Sequence, residues 1–325
     1  MRLYAVAALL AGLALAVYLV VNIGIAPVLA AAAKVGWGGF VLICLAGLIV
    51  TSVIGSGWYA LASDKASWPA LVMARQMRDS AGDLLPFTQF GGIVIGARAA
   101  ILGGLSPPFA FASAVVDATA ELMGQIAFCF LGLLIGLTHL RADPVMAPYV
   151  NSLILGTVLL IPGVAVFMIL QRRGSSLATR LAALLLPAAV RHTESFTQIL
   201  NALYANPVRL ALASICHLLG WIASGVWIWL IMRFIDAHID VFSAVAIESL
   251  LAALRSAMVF VPSAIGVQEA GYAALAPVFG LGPEIGLAVS LLRRARDVAV
   301  GVPVLLIWQA IEGRRAFATQ NGNGP

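Results

Sequence analysis

The stretch Val261-Pro262-Ser263-Ala264-Ile265-Gly266-Val267-Gln268-Glu269-Ala270-Gly271-Tyr272 decides how the chain is read. It lies deep in apolar sequence, yet it carries a proline, two glycines, an amide and a carboxylate. Pro262 removes a backbone donor and disfavours helix at Val261. Gly266 permits a left-handed bend or a close backbone approach. The spacing therefore predicts a helix that breaks here and restarts with Gln268 and Glu269 in its first turns. Inside a bilayer, backbone groups freed by such a break must be buried in protein or face a wet cavity. An ionisable residue at the restart of a broken helix points to a transport site. A proline-glycine kink between two ordinary helices, with Glu269 near a surface, is the plainer alternative.

The surrounding composition sets the class. Of 325 residues, 62% are hydrophobic and 10% charged, with a mean hydropathy of +1.02. Soluble domains run to about 25% charged. The chain reads as an all-α polytopic membrane protein with no separate soluble domain. Its net charge of +5 does not point to nucleic acid, because the basic residues fall between apolar spans, where they set orientation and touch anionic headgroups. Cys44, Cys129 and Cys216 lie inside apolar stretches without metal-ligand spacing and read as buried structural thiols. No cofactor is indicated.

Taken in order, an uncleaved first span is predicted over 3–21, about 19 residues or ~28 Å of helix, long for a signal core, although the alanines at 30–33 could pass for a signal-peptidase site. A second follows over 38–60. Residues 61–83 are interrupted by Asp64, Lys65, Arg75, Arg78, Asp79 and Asp83, and read as an amphipathic interfacial helix with Trp68 at headgroup depth. A proline-glycine stretch over 84–105 contains Pro86, Gly91, Gly92 and Arg98. Spans are then expected over 108–137, 149–170, 208–232 and 284–310. Between the middle two, 171–207 is Arg-rich, with surface helices at Leu177–Leu186 and Phe196–Leu203. From 316 onward the composition suggests a disordered tail, leaving one membrane domain over 1–315.

The two proline-broken regions resemble each other. Leu85-Pro86 matches Val261-Pro262, and Gly104-Leu105-Ser106-Pro107 matches Gly280-Leu281-Gly282-Pro283, both at an offset of 176. Pseudo-repeats of about 1–137 and 149–312 follow. Each would hold three single crossings and one broken, re-entrant hairpin, about six crossings and two hairpins in all; a pair of full spans in place of each hairpin satisfies the same parity. Three is odd, so the second copy would be inverted, as in alternating-access transporters. Counting Lys and Arg by side places both termini in the cytoplasm. Inherited fold symmetry without transport stays open.

A charge at mid-bilayer costs at least ~2.5–3.5 kcal/mol, so each one needs a partner or a purpose. Asp117 and Glu121 share one helix face at i,i+4, as do Arg293 and Asp297, which can pair with each other. Arg296 sits on a neighbouring face. Glu269, Asp117 and Glu121 are expected to meet Arg293 and Arg296 in the bundle interior. Arg98, Arg255 and Arg293 could form a cationic site for anionic lipid headgroups. A network that only ties helices together is the competing reading for each, least so for Glu269 beside the irregular backbone. Enzyme motifs are weak. The four histidines are scattered, and there is no HExxH motif, nucleophile elbow or P-loop.

The run from Pro262 to Gly271, with Gly266, Gln268 and Glu269 inside it, then the Gly280-Leu281 turn and the Arg293/Asp297 helix, resembles a known signature. It is the P-x-x-x-G-x-x-E motif of the lysylphosphatidylglycerol-synthase transmembrane, flippase-like family. The Leu85-Pro86 region and the Arg98-to-Asp117 stretch are similar to that family's first half. Ser-Ala after the proline, and the Val-Gln-Glu-Ala-Gly-Tyr wording, look most like its hopanoid-biosynthesis-associated branch. The resemblance implies a lipid-handling protein of bacterial inner membranes. The full-length synthases add an aminoacyl-transferase domain; with the chain stopping at 325, that activity is expected to be absent. The leading expectation is a non-enzymatic translocator of a hopanoid or an anionic phospholipid, with membrane lipids as its partners. A small-solute or ion-coupled carrier, and a scaffold holding lipid-synthesis enzymes or transporters, stay open.

Overall fold

A computed structural model describes residues 25–321 except 63, 86–88, 143, 145, 146, 153, 160, 164, 167, 170–172, 174–189, 259 and 260. The predicted span over 3–21 and the surface helix at Leu177–Leu186 therefore lie outside the described residues. All regular structure among the described residues is helical. Ten helices follow in order: α1 (Ile25–Ala33), α2 (Gly36–Ala62), α3 (Trp68–Leu84), α4 (Gln89–Leu102), α5 (Pro107–Ala142), α6 (Val190–Tyr204), α7 (Pro207–Phe234), α8 (Val241–Ala257), α9 (Val267–Val278) and α10 (Pro283–Asn321). Among them α2, α5 and α7 are long and apolar enough to cross a membrane. These are the spans expected over 38–60, 108–137 and 208–232. A shorter apolar helix, Val150–Gly163, falls within the span expected over 149–170. The outward sides of α2 and α7 expose Val41, Leu45 and Ile49, and Val208, Leu212 and Leu219, apolar faces suited to lipid rather than water.

Helix boundaries follow local chemistry. Pro207 opens α7 behind an Asn206 cap, and Asp240 caps α8 by accepting from the Ser243 backbone N–H at 3.0 Å. Leu85 is extended, as a residue before proline prefers, and ends α3. Ser106 and Gly282 precede the prolines that open the two longest helices, α5 and α10. α10 has 39 residues and continues to Asn321, through part of the segment where a disordered tail was expected.

The helices pair by length: α2 and α7 have 27 and 28 residues, and α3 and α8 have 17 each. α4 and α9 have 14 and 12, and α5 and α10 have 36 and 39. Their packing pairs as well. α2 and α7 form the largest helix pair, α10 packs on α3, and α5 packs on α8. Close approach of α2 and α7 needs a small residue at Gly220, where a Cβ would collide with Ile54. One core gathers Ile43, Ile228, Ile231, Leu251, Tyr272 and Ala288; a second gathers Trp58, Leu71, Ala74, Ala97 and Ala100.

One expectation is corrected. Within 61–83, Leu61 and Ala62 end α2 and Asp64 and Lys65 are exposed, but the helix from Trp68 onward is not interfacial. α3 packs between α2, α4 and α10, and Arg75 and Arg78 are only 3% and 6% exposed. The charges that resemble a solvated face are matched by carboxylates on α5. Trp68 remains partly exposed and donates its indole N–H to Ser56 Oγ. Phe196–Leu203 falls within α6, which packs on α5 and buries Leu200 and Leu203.

Candidate functional site

Three polar clusters tie the broken regions to the long helices. In the first, Arg75 and Arg78 are three residues apart on α3 and so share a face. Asp117 and Glu121, four apart on α5, meet them. Arg78 donates through Nη1 to Asp117 Oδ2 (2.8 Å) and through Nη2 to Glu121 Oε2 (2.7 Å). Arg75 donates to both Glu121 oxygens, and through Nε to Asp79 Oδ2 at 2.9 Å. The second Asp117 oxygen lies 2.8 Å from His217 Nε2 on α7. Asp117 and His217 are fully buried. Charges this deep persist because forked guanidinium–carboxylate bonds pair them, leaving Arg78 Nε and His217 Nδ1 without a partner among the described residues; removing one partner would strand the rest.

The second cluster occupies the corresponding helices with the charges reversed. Arg75 is the eighth residue of α3, and Glu248 is the eighth of α8. Asp117 is the eleventh residue of α5, and Arg293 is the eleventh of α10. Glu248 accepts from Arg293 Nη1 (2.6 Å), Tyr272 OH (2.6 Å) and Ser224 Oγ (3.2 Å). Trp227 supports this side. The Arg293 and Arg296 guanidiniums lie 5.7 and 5.5 Å from its ring centroid, and its indole N–H donates to Ile43 O. Arg296 also reaches Asp297 Oδ1 (3.1 Å) and Thr51 Oγ1 (3.3 Å). It fits against α2 because residue 47 is glycine; a Cβ there would stand 2.6 Å from Arg296 Nε.

The third cluster is the break itself. α8 ends at Ala257, a 3-10 turn covers Pro262–Ala264, and α9 starts at Val267. Gly266 has φ +81°, and Ser263 and Ala264 have φ +53° and +47°, a left-handed conformation that costs L-residues about 1–2 kcal/mol each. Glu269 locks the restart. Its Oε2 accepts from the Gly266 N–H at 2.8 Å, and its Oε1 accepts from Arg294 Nε at 3.0 Å and Ser290 Oγ at 3.2 Å. Gln268, nearly fully buried, donates to Ser290 Oγ. Arg294 Nη1 donates to Ser263 O at 3.0 Å, so one guanidinium fastens both ends of the turn. Strained backbone held by surrounding contacts is characteristic of functional segments.

The two broken regions touch. The Pro262 turn packs on α3, and Arg255 Nη2 on α8 stands 3.5 Å from Asp83 Oδ1 on α3. The residue beyond Leu85, Pro86, lies outside the described residues.

The predicted residues are thus distributed as follows. Asp117 and Glu121 bond Arg75 and Arg78 rather than Arg293 and Arg296. Glu269 bonds Arg294. Arg293 takes Glu248, while Asp297 takes its neighbour Arg296. Arg98 does not join Arg255 and Arg293: its side chain is 56% exposed and pairs with Glu312. Glu312 is nineteen residues beyond Arg293 on α10, about 28 Å along the helix. Pro262 and Gly266 form the turn and the helix start. Sequence reasoning missed Arg75, Arg78, Glu248, Arg294 and His217 as partners. The available signal was i,i+3 arginines on one helix matching i,i+4 carboxylates on another. Among the described residues, no group of three or more His, Cys, Asp or Glu side chains is arranged to hold a metal.

The family model described as the lysylphosphatidylglycerol synthase TM region matches residues 5–304. Comparison with curated proteins gives no match, and comparison with solved structures gives none.

Proposed function

The chain belongs to the lysylphosphatidylglycerol synthase TM-region family, a lipid-related family of polytopic membrane proteins, and from that premise we propose that it moves a lipid between leaflets. The observation that carries this reading is the meeting of two broken helical regions at Asp83 and Arg255, flanked by helices that pair in length and in packing. Inverted units with paired broken helices are the architecture of alternating access. We read 1–137 and 149–312 as such units and the broken regions as re-entrant hairpins. A bacterial inner membrane with both termini cytoplasmic suits the distribution of basic residues. The polar network holds helices and a headgroup and performs no bond chemistry. The lipid is a hopanoid or an anionic phospholipid.

Reconstituted vesicles carrying labelled lipids test this directly. Crossing faster than in protein-free vesicles is expected for at least one anionic or polycyclic lipid. If none of several headgroups crosses faster, the translocation reading fails. Glu269→Gln, which keeps an acceptor for the Gly266 N–H but loses the ion pair to Arg294, is expected to slow crossing while the protein still folds. Normal crossing in that variant would make Glu269 purely structural.

A further inference from the structure

The ion pairs of this molecule differ in quality. Arg78–Asp117 and Arg293–Glu248 are short, with side chains no more than 12% exposed. Asp83–Arg255 is a single 3.5 Å contact whose side chains are 26% and 21% exposed. It joins the two hairpin helices at nearly the same place, the sixteenth residue of α3 and the fifteenth of α8. Asp83 lies within electrostatic reach of three guanidiniums, those of Arg255, Arg293 and Arg294, and of one carboxylate, Asp297. Arg294 Nη2 is buried without a hydrogen-bond partner among the described residues. A carboxylate on the last turn of a helix also opposes the negative end of the helix dipole, so Asp83 sits where its own helix disfavours it.

We propose that Asp83 is a resident counter-ion, and that the Arg255 and Arg294 guanidiniums receive the phosphate of an anionic lipid headgroup when the Asp83 carboxylate is displaced. A phosphate offers more acceptor oxygens than one carboxylate and matches the forked donors of arginine. Arg255 meets Asp83 only in one 3.5 Å ion-pair contact, and Arg294 Nη2 is without a partner among the described residues, so a phosphate gains contacts that Asp83 does not supply. The exchange would loosen the contact between the two hairpins, coupling headgroup arrival to their separation. This deepens the translocation reading and rests on it for the source of the phosphate.

The test is binding to the full-length protein in detergent, followed by native mass spectrometry. Phosphatidylglycerol is compared with diacylglycerol, which shares its tails and lacks the phosphate. Asp83→Asn is expected to bind phosphatidylglycerol about tenfold tighter than the parent, and Arg255→Gln about tenfold weaker, with diacylglycerol unmoved by either. Arg255→Lys keeps the charge without the fork and is expected to fall between parent and Gln. It still reports if the Gln variant does not fold. Unchanged or weaker phosphatidylglycerol binding in Asp83→Asn, or a parallel change for diacylglycerol, overturns the proposal. Added inorganic phosphate separates the sources. Failure to displace the lipid supports a headgroup site, and full displacement at equal concentration overturns the lipid source. Because binding rather than crossing is read, these shifts in a protein that moves no lipid would sink the translocation reading and leave the phosphate site standing.

Discussion

His217 reaches Asp117 through a gap left by the missing side chain at Gly57. The imidazole Nε2 stands 2.8 Å from Asp117 Oδ1, and a Cβ on residue 57 would stand 2.7 Å from the same nitrogen. The Ala213 carbonyl, 3.1 Å from that Cβ position, blocks the alternative shift. Gly57→Ala is therefore expected to cost about 1–3 kcal/mol, the usual penalty of overpacking. Thermal unfolding in detergent measures it. An unchanged midpoint would mean that α2 and α7 are less tightly apposed than described.

The Glu248–Arg293 pair is nearly dry, with side chains 2% and 12% exposed. Glu248→Ala strands a buried guanidinium and is expected to cost roughly 3–5 kcal/mol. Replacing both members, Glu248→Leu with Arg293→Met, removes the charge and its partner together and is expected to recover most of that loss. A double variant no better than Glu248→Ala would show that Tyr272 and Ser224, not the ion pair, carry the stabilisation.

Ser263 holds φ +53° without being glycine. Its carbonyl, not its side chain, accepts from Arg294. Ser263→Gly keeps that bond and relieves the backbone, and is expected to stabilise by about 1 kcal/mol. If the strained turn serves movement, crossing rates should fall in the same variant. Loss of stability would show that the turn is not strained at this residue.

Asp240 lies between α7 and α8, and hydrogen bonds from the Ser243 hydroxyl and backbone N–H hold its carboxyl below the usual range. A lowered folded value means that the cap stabilises above the unfolded value of about 3.9 and loses that contribution as pH falls through the folded one. Asp240→Ala is expected to cost about 1 kcal/mol near neutrality, and the difference from the parent should shrink below pH ~4. A difference independent of pH would assign the cost to packing instead.

Much of this was legible before the structure. The apolar runs that became α2, α5 and α7 need only length and hydropathy. Pro262 and Gly266 act on their own backbone, so the break and the restart at Gln268 and Glu269 could be read locally. The partners could not. Asp117 shares a helix face with Glu121 in any model, but whether that face meets Arg293 or Arg78 depends on which helices pack together. The 61–83 segment misled for a related reason. Arg75 and Arg78 look like a wetted face until Asp117 and Glu121, some forty residues on, are brought against them. The matching element lengths were partly visible as the 176-residue offset, yet the reversed charges at Arg75 and Glu248 hid the correspondence.

That reversal bears on how the chain can be taken apart. Asp83 and Arg255 face each other from nearly equivalent helix positions. Two copies of the N-terminal half, docked the same way, would set aspartate against aspartate; two copies of the C-terminal half would set arginine against arginine. Each half is therefore poorly matched to itself at the seam and well matched to the other. If the chain is cut between α5 and α6 and the pieces are made separately, mixed pairs should form and like pairs should not.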